Sequence, residues 1–105
     1  MGDERQVIDR VADPDGRCVV LLERVWADKV LRDHPEMSAA AGDVLRAIAT
    51  PDHVEIDPVR PDRRRYFLRG AGPSRWLLAV VSYEQEPARI ITAFANRKDP
   101  RTWSE

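Results

Sequence analysis

From Glu23 onwards the hydrophobic period of this chain changes once, at Thr50-Pro51-Asp52, and that switch limits what it can fold into. Before the switch, apolar residues recur at helical spacing. Leu22, Trp26 and Val30 stand at i, i+4 and i+8, which predicts a helix over Glu23 to Asp33. His34-Pro35-Glu36 interrupts it, because proline disfavours the α conformation in the residue before it. Proline also suits the first position of a new helix. A second helix is predicted from Pro35 to about Ala49, with Met37, Ala41, Val44, Leu45 and Ile48 as its apolar stripe. After the switch the period becomes two. His53 to Asp57 places Val54 and Ile56 on one face. Arg64 to Arg69 sets Tyr66 and Leu68 against Arg65, Phe67 and Arg69. Trp76 to Tyr83 is apolar on both faces and reads as a central strand. Arg89 to Ala95 is the last strand, with Ile90, Thr92 and Phe94 expected on one face.

Ahead of the helices, Asp13-Pro14-Asp15-Gly16 is a turn signal between Val7–Val11 and the apolar run Cys18 to Leu22, which predicts a β-hairpin. Cys18 is expected to be a small core residue. Short turns between successive late strands imply antiparallel pairing. The predicted class is α+β, a single domain over 1–105. Two helices pack on one face of an antiparallel sheet of about four strands, preceded by the hairpin.

Composition narrows the function. A chain of 105 residues with 43% hydrophobic and 33% charged residues supports one folded core. No apolar run approaches the roughly 18 residues of a membrane span, so no membrane partner is expected. The start is polar and lacks a signal-peptide stretch. The single cysteine fits a reducing, cytoplasmic setting. The net charge is -1, but it is unevenly placed. Residues 1–52 hold 7 Lys and Arg against 11 Asp and Glu; residues 53–105 hold 10 against 7. Six arginines fall between Arg60 and Arg75. A local basic field of this kind suits phosphates, and it suits a solvated surface equally.

Several chemistries lack their residues. There is no Walker or dinucleotide loop, and Gly70 and Gly72 stand in a strand turn. His34, His53 and Cys18 match no zinc-ligand spacing, and His53 reads as a solvated strand-start residue. No serine stands in a nucleophile elbow, and the carboxylates are scattered. No cofactor and no metal are expected. What remains is His34 at a helix start, the arginine-rich strand, Thr92 on the last strand and Lys98 just after it. Metal-free RNA cleavage uses such a set: a base for the ribose 2′-hydroxyl, an acid for the leaving 5′-oxygen, and cations for the charged transition state. The positive end of a helix starting at Pro35 would favour the neutral imidazole that a base needs.

From about Arg24 to Trp103, the order of these pieces resembles phage-encoded nucleases of the barnase–EndoU–colicin–RelE-like superfamily. Trp26 precedes His34-Pro35-Glu36. A helix then ends at Thr50-Pro51-Asp52. The strand piece Arg65-Tyr66-Phe67 and the central Val80-Val81 come next, followed by Ile91-Thr92-Ala93-Phe94, Lys98 and Trp103. The resemblance implies a compact α+β fold and metal-independent endoribonuclease activity, often in toxins or mobile elements and blocked by an antitoxin or immunity protein. It implies catalytic roles for His34, Arg65, Thr92 and Lys98, and RNA contacts by Lys29, Arg63, Arg64, Tyr66 and Arg69. Trp103 is expected to be an anchor. Many relatives carry a second histidine three residues after the tryptophan, where this chain has Lys29. An ordinary lysine is a poor acid–base group at neutral pH, so the alternative is a weak or inactive RNA- or protein-binding module on the same fold. A homodimer through an exposed strand edge is a third expectation.

Overall fold

A computed structural model describes residues 6–97. Lys98 and Trp103 lie outside the described residues. The chain opens with β1, Val7–Ala12, and β2, Cys18–Leu22. A continuous helical segment, α1, follows over 23–33, with α-helical ends and a central π turn at Trp26–Val30. A 3-10 turn at Pro35–Met37 leads to α2, Ala41–Ala49. Four strands complete the fold: β3 His53–Ile56, β4 Arg63–Arg69, β5 Trp76–Ser82 and β6 Ala88–Asn96.

All six strands form one sheet in the order β1-β2-β6-β5-β4-β3. The class is α+β with two helices, as the change of period implies. The sheet differs from the expected four antiparallel strands. The hairpin is part of it, joined by parallel pairing of Val19 with Ala88 and Val20 with Arg89. Parallel neighbours need a long crossover, and here the whole segment from α1 to β5 serves as one. Local turn signals carry no trace of that pairing.

The hairpin turn forms as its residues dictate. Asp13 N–H donates to Arg17 O at 2.9 Å, and the Asp13 carboxylate accepts from the N–H groups of Asp15 and Arg17. Gly16 takes a φ of +85°, a conformation side chains resist. Cys18 is exposed rather than a core residue. It sits at the mouth of the hairpin opposite Ala12, and burial on β2 starts one residue later at Val19.

The predicted second helix breaks in two. Met37 N–H bonds to His34 O, Ser38 N–H to Pro35 O and Ala40 N–H to Met37 O, all i→i+3. The α pattern begins only at Ala41, when Val44 N–H reaches Ala40 O. Met37 still points into the core beside Val44 and Ile48. An apolar stripe does not distinguish one helix from two segments that share a core face.

The main core lies between the helices and one sheet face. It joins Trp26 and Val30 of α1, Val44 and Ile48 of α2, and Tyr66, Leu68, Leu77, Ala79 and Val81 of the sheet. The opposite face carries a second cluster of Phe67, Trp76 and Leu78, with Val80 and Phe94 against it. β5 therefore buries both its faces, as its composition predicts. On β6 a bulge breaks the alternation: Val80 faces Thr92, but Val81 faces Ile90. Ile91 is the extra residue. Ile90 thus joins the helix-side core while Phe94 joins the other cluster, so the two do not share a face as expected.

Candidate functional site

The strand register builds the face opposite the helices in rows. One row runs His53, Phe67, Leu78, Phe94 across β3, β4, β5 and β6. The next runs Glu55, Arg65, Val80, Thr92. Towards the other end of the strands lie Arg69, Trp76 and Asn96. Neighbouring strands are about 4.8 Å apart, so Arg65 and Thr92 stand about 10 Å apart at the backbone.

A histidine closes each end of the aromatic row. His53 lies 5.5 Å from the Phe67 ring, tilted by 51°. His34 stacks on Phe94 at 5.2 Å and 26°. β6 pairs with β2 only at Ala88 and Arg89. Beyond them the π turn of α1 and the Pro35–Met37 turn flank β6, which brings His34 to the edge of this face. Its backbone is fixed on both sides: its N–H donates to Val30 O, and its carbonyl accepts from Met37 N–H. Its Nδ1 lies 3.6 Å from Glu36 Oε2. Nε2 has no protein partner among the described residues. The 3-10 turn after His34 is only three residues long, so the favourable dipole expected from a helix starting at Pro35 is absent.

The other predicted residues divide. His34, Arg65 and Thr92 share this face, with Arg63 and Arg69 on the same side of β4 by alternation. Arg69 is exposed at the strand end. The Nε of Arg63 is buried without a hydrogen-bond partner among the described residues. Arg64 and Tyr66 point the other way. Tyr66 is 1% exposed and belongs to the helix-side core, so it is not an RNA-facing residue in this fold. Arg64 lies 3.3 Å from Asp15 and over the Tyr83 ring. Lys29 is exposed on the π turn of α1.

Arg65 is not a free cation. Its guanidinium lies 3.3 Å from Asp57 and 3.8 Å from Glu55, and Glu55 also meets His53 Nε2 at 3.0 Å. The N–H groups of Arg60 and Val59, with help from Arg65, hold the Asp57 carboxyl below the usual carboxylate range. In this cluster of two carboxylates, a histidine and an arginine, the Arg65 charge is matched by carboxylates on both sides.

A second polar cluster lies at the hairpin end of the sheet, on the helix side. Asp13 is buried and accepts from the Tyr83 hydroxyl at 2.7 Å, and the Tyr83 and Tyr66 hydroxyls share a hydrogen bond of 2.5 Å. Burial alone would raise the Asp13 carboxyl. The hydrogen bonds from Tyr83, Arg17 and Asp15 and the nearby Arg64 charge outweigh it and hold the carboxyl below its ordinary value. Burial, and the hydrogen bonds with Tyr66 and Asp13, push the Tyr83 phenol upwards.

Sequence reasoning missed the aromatic row, because only register shows that Phe67 and Phe94 align through Leu78. It also missed the acidic partners of Arg65, although Glu55 on the adjoining strand and Asp57 just after it were a visible signal. Among the described residues no three His, Cys, Asp or Glu side chains converge on a point that could hold a metal ion. No described helix is long and apolar enough to cross a membrane. Comparison of the chain with models of known families, with curated proteins and with solved structures gives no match.

Proposed function

We propose that this protein is a metal-independent endoribonuclease that works through the sheet face opposite the helices. The observation that supports this most is His34. Its ring is stacked on Phe94, its Nδ1 lies 3.6 Å from Glu36 Oε2, and Thr92 lies two residues from Phe94 on the same strand face. In this reading His34 Nε2 takes the proton of a ribose 2′-hydroxyl. The 2′-oxygen forms a bond to phosphorus, the bond to the 5′-oxygen breaks, and a second group supplies a proton to that oxygen. Thr92 donates a hydrogen bond to the phosphoryl oxygens. Lys98 and Lys29 are the chain's candidates for the second proton. A protein of this type would act on RNA in the cytoplasm and be restrained by an antitoxin or immunity partner, so its expression alone would be toxic.

Two observations favour a second reading, an RNA-binding module without cleavage. The position of the second histidine holds Lys29, and the charge of Arg65 is already balanced. A cleavage assay on a short RNA in EDTA separates the two. The nuclease reading expects wild-type protein to yield a 2′,3′-cyclic phosphate end and His34→Ala to yield none. Binding without cleavage by folded wild type would leave the module. Neither binding nor cleavage would remove RNA from the account.

A further inference from the structure

Three surface features stand apart from the site described above. One is a cleft of about 300 Å³ under the 84–87 turn, floored by Val20 and Leu22 and rimmed by Glu86 and Arg89. Another is the β3 edge, with Val54 and Ile56 exposed. Self-pairing of that edge so that Val54 meets Ile56 of a second copy would set Glu55 against Glu55, a like-charge pair that opposes it. The third carries an argument further. We propose that the Gly70–Ser74 turn, Arg75 and Arg97 form a binding site for a phosphate group.

The site follows from register. Trp76 pairs with Asn96, so Arg75 and Arg97 face each other one residue beyond the end of the β5–β6 ladder. Together with Gly72, Pro73 and Ser74 they line an open pocket of about 560 Å³. Like charges opposed across antiparallel strands repel unless an anion lies between them. Neither guanidinium has a carboxylate within ion-pair distance among the described residues. Two carboxylates near the turn already have partners other than Arg75 and Arg97. Asp43 holds Arg46 at 3.1 Å and accepts from Gly72 N–H at 3.1 Å. Asp52 accepts from the Arg69 backbone N–H at 2.8 Å.

The turn itself is held in shape. Gly70 N–H donates to Arg75 O at 2.7 Å. Gly72 has a φ of +71°, and a Cβ there would meet Leu77 Cδ1 at 2.9 Å, so any other residue is strained there. A fixed turn bearing the Ser74 hydroxyl, flanked by two planar guanidiniums, suits the bidentate recognition that phosphate oxygens favour. Carboxylates have fewer oxygens for two forks and a serine. The phosphate could come from free inorganic phosphate or from an RNA strand. The RNA source rests on the function proposed above; the phosphate site does not.

The test follows arginine side-chain Nε–H resonances of the full chain by NMR. Inorganic phosphate is titrated first, then a short single-stranded RNA. The expected result is saturable movement of Arg75 and Arg97 with phosphate, kept in Arg60→Gln, whose exposed side chain is not in the pocket, and weakened at Arg97 in Arg75→Gln and at Arg75 in Arg97→Gln. With RNA, the Arg75→Gln/Arg97→Gln double variant should weaken binding about tenfold. It should also flatten the log–log salt slope by about 0.7 to 1.4, as expected for one or two lost phosphate contacts on a single strand. Phosphate binding without any RNA binding would uphold the site and defeat the RNA reading. Resonances of Arg75 and Arg97 that stay still in phosphate, with all variants folded by thermal melt, would overturn the proposal.

Discussion

Two pairs of arginines mark opposite ends of the β4–β5 ladder, and they have opposite fates. At the hairpin end, Arg17 and Arg64 both lie over the Tyr83 ring, at 4.5 and 5.0 Å. Arg17 pairs with Glu86 and Arg64 with Asp15. Beneath them the chain Asp13–Tyr83–Tyr66 ties the hairpin turn to the central strands. These cations stabilise the fold. At the other end, Arg75 and Arg97 line a pocket without a carboxylate partner among the described residues. The arginine content of a segment therefore says little about where it binds. Residues 60–75 look uniformly basic in sequence, yet Arg64 and Arg65 are neutralised locally.

If the contrast holds, breaking the first cluster damages stability and not RNA binding. The largest expected effect is from Asp13→Ala, which removes a buried acceptor of three hydrogen bonds and should cost about 3 kcal/mol, read by urea unfolding. The same cluster sets a pH dependence. The Asp13 carboxyl is lower in the folded chain than its ordinary value of 3.8, so the unfolded chain binds more protons as pH falls. Its contribution is complete above that range and is lost as pH drops through 3.8 to the folded value. Tyr83 gives the mirror image: its raised phenol makes stability fall above pH 10.0. Both slopes should shrink in Asp13→Ala.

At the proposed catalytic edge, His34→Ala should lower RNA cleavage at least about 100-fold. Its melting temperature should fall only slightly, since a half-exposed ring stack is worth about 1 kcal/mol. Tyr83→Phe should cost about 1 kcal/mol and leave cleavage unchanged. The smallest effect is expected for Arg65→Gln. Two carboxylates already engage that guanidinium, so RNA affinity should change less than about twofold. A large loss there would move the interface towards β3 and away from Arg75 and Arg97.

Much of the fold was legible because periodicity reports burial. The alternation of Tyr66 and Leu68 against Phe67 placed them on opposite faces, and the double-sided β5 was visible as unbroken apolar sequence. Three features were not legible, each for a physical reason. The β6 bulge inserts Ile91 and resets the period, so Ile90 and Phe94 part company. The parallel β2–β6 pairing joins segments nearly 70 positions apart, which no local signal encodes. The Pro35–Met37 turn keeps Met37 on the helical stripe, so the break is silent in the pattern. For the candidate site, His34, Arg65 and Thr92 were legible as residue types, and their shared face follows from the observed register. Tyr66 and Arg64 were misdirected because an alternating strand shows which residues share a face, not which face meets the helices.

The most direct test is chemical-shift mapping with an RNA that has a 2′-deoxy sugar at the cleavage position, so that it binds without reacting. The account predicts shifts at His34, Phe94, Thr92, Arg75 and Arg97, with Asp13, Tyr83 and Arg64 unmoved. Shifts centred on the Asp13–Tyr83 end, or on α2, would contradict it.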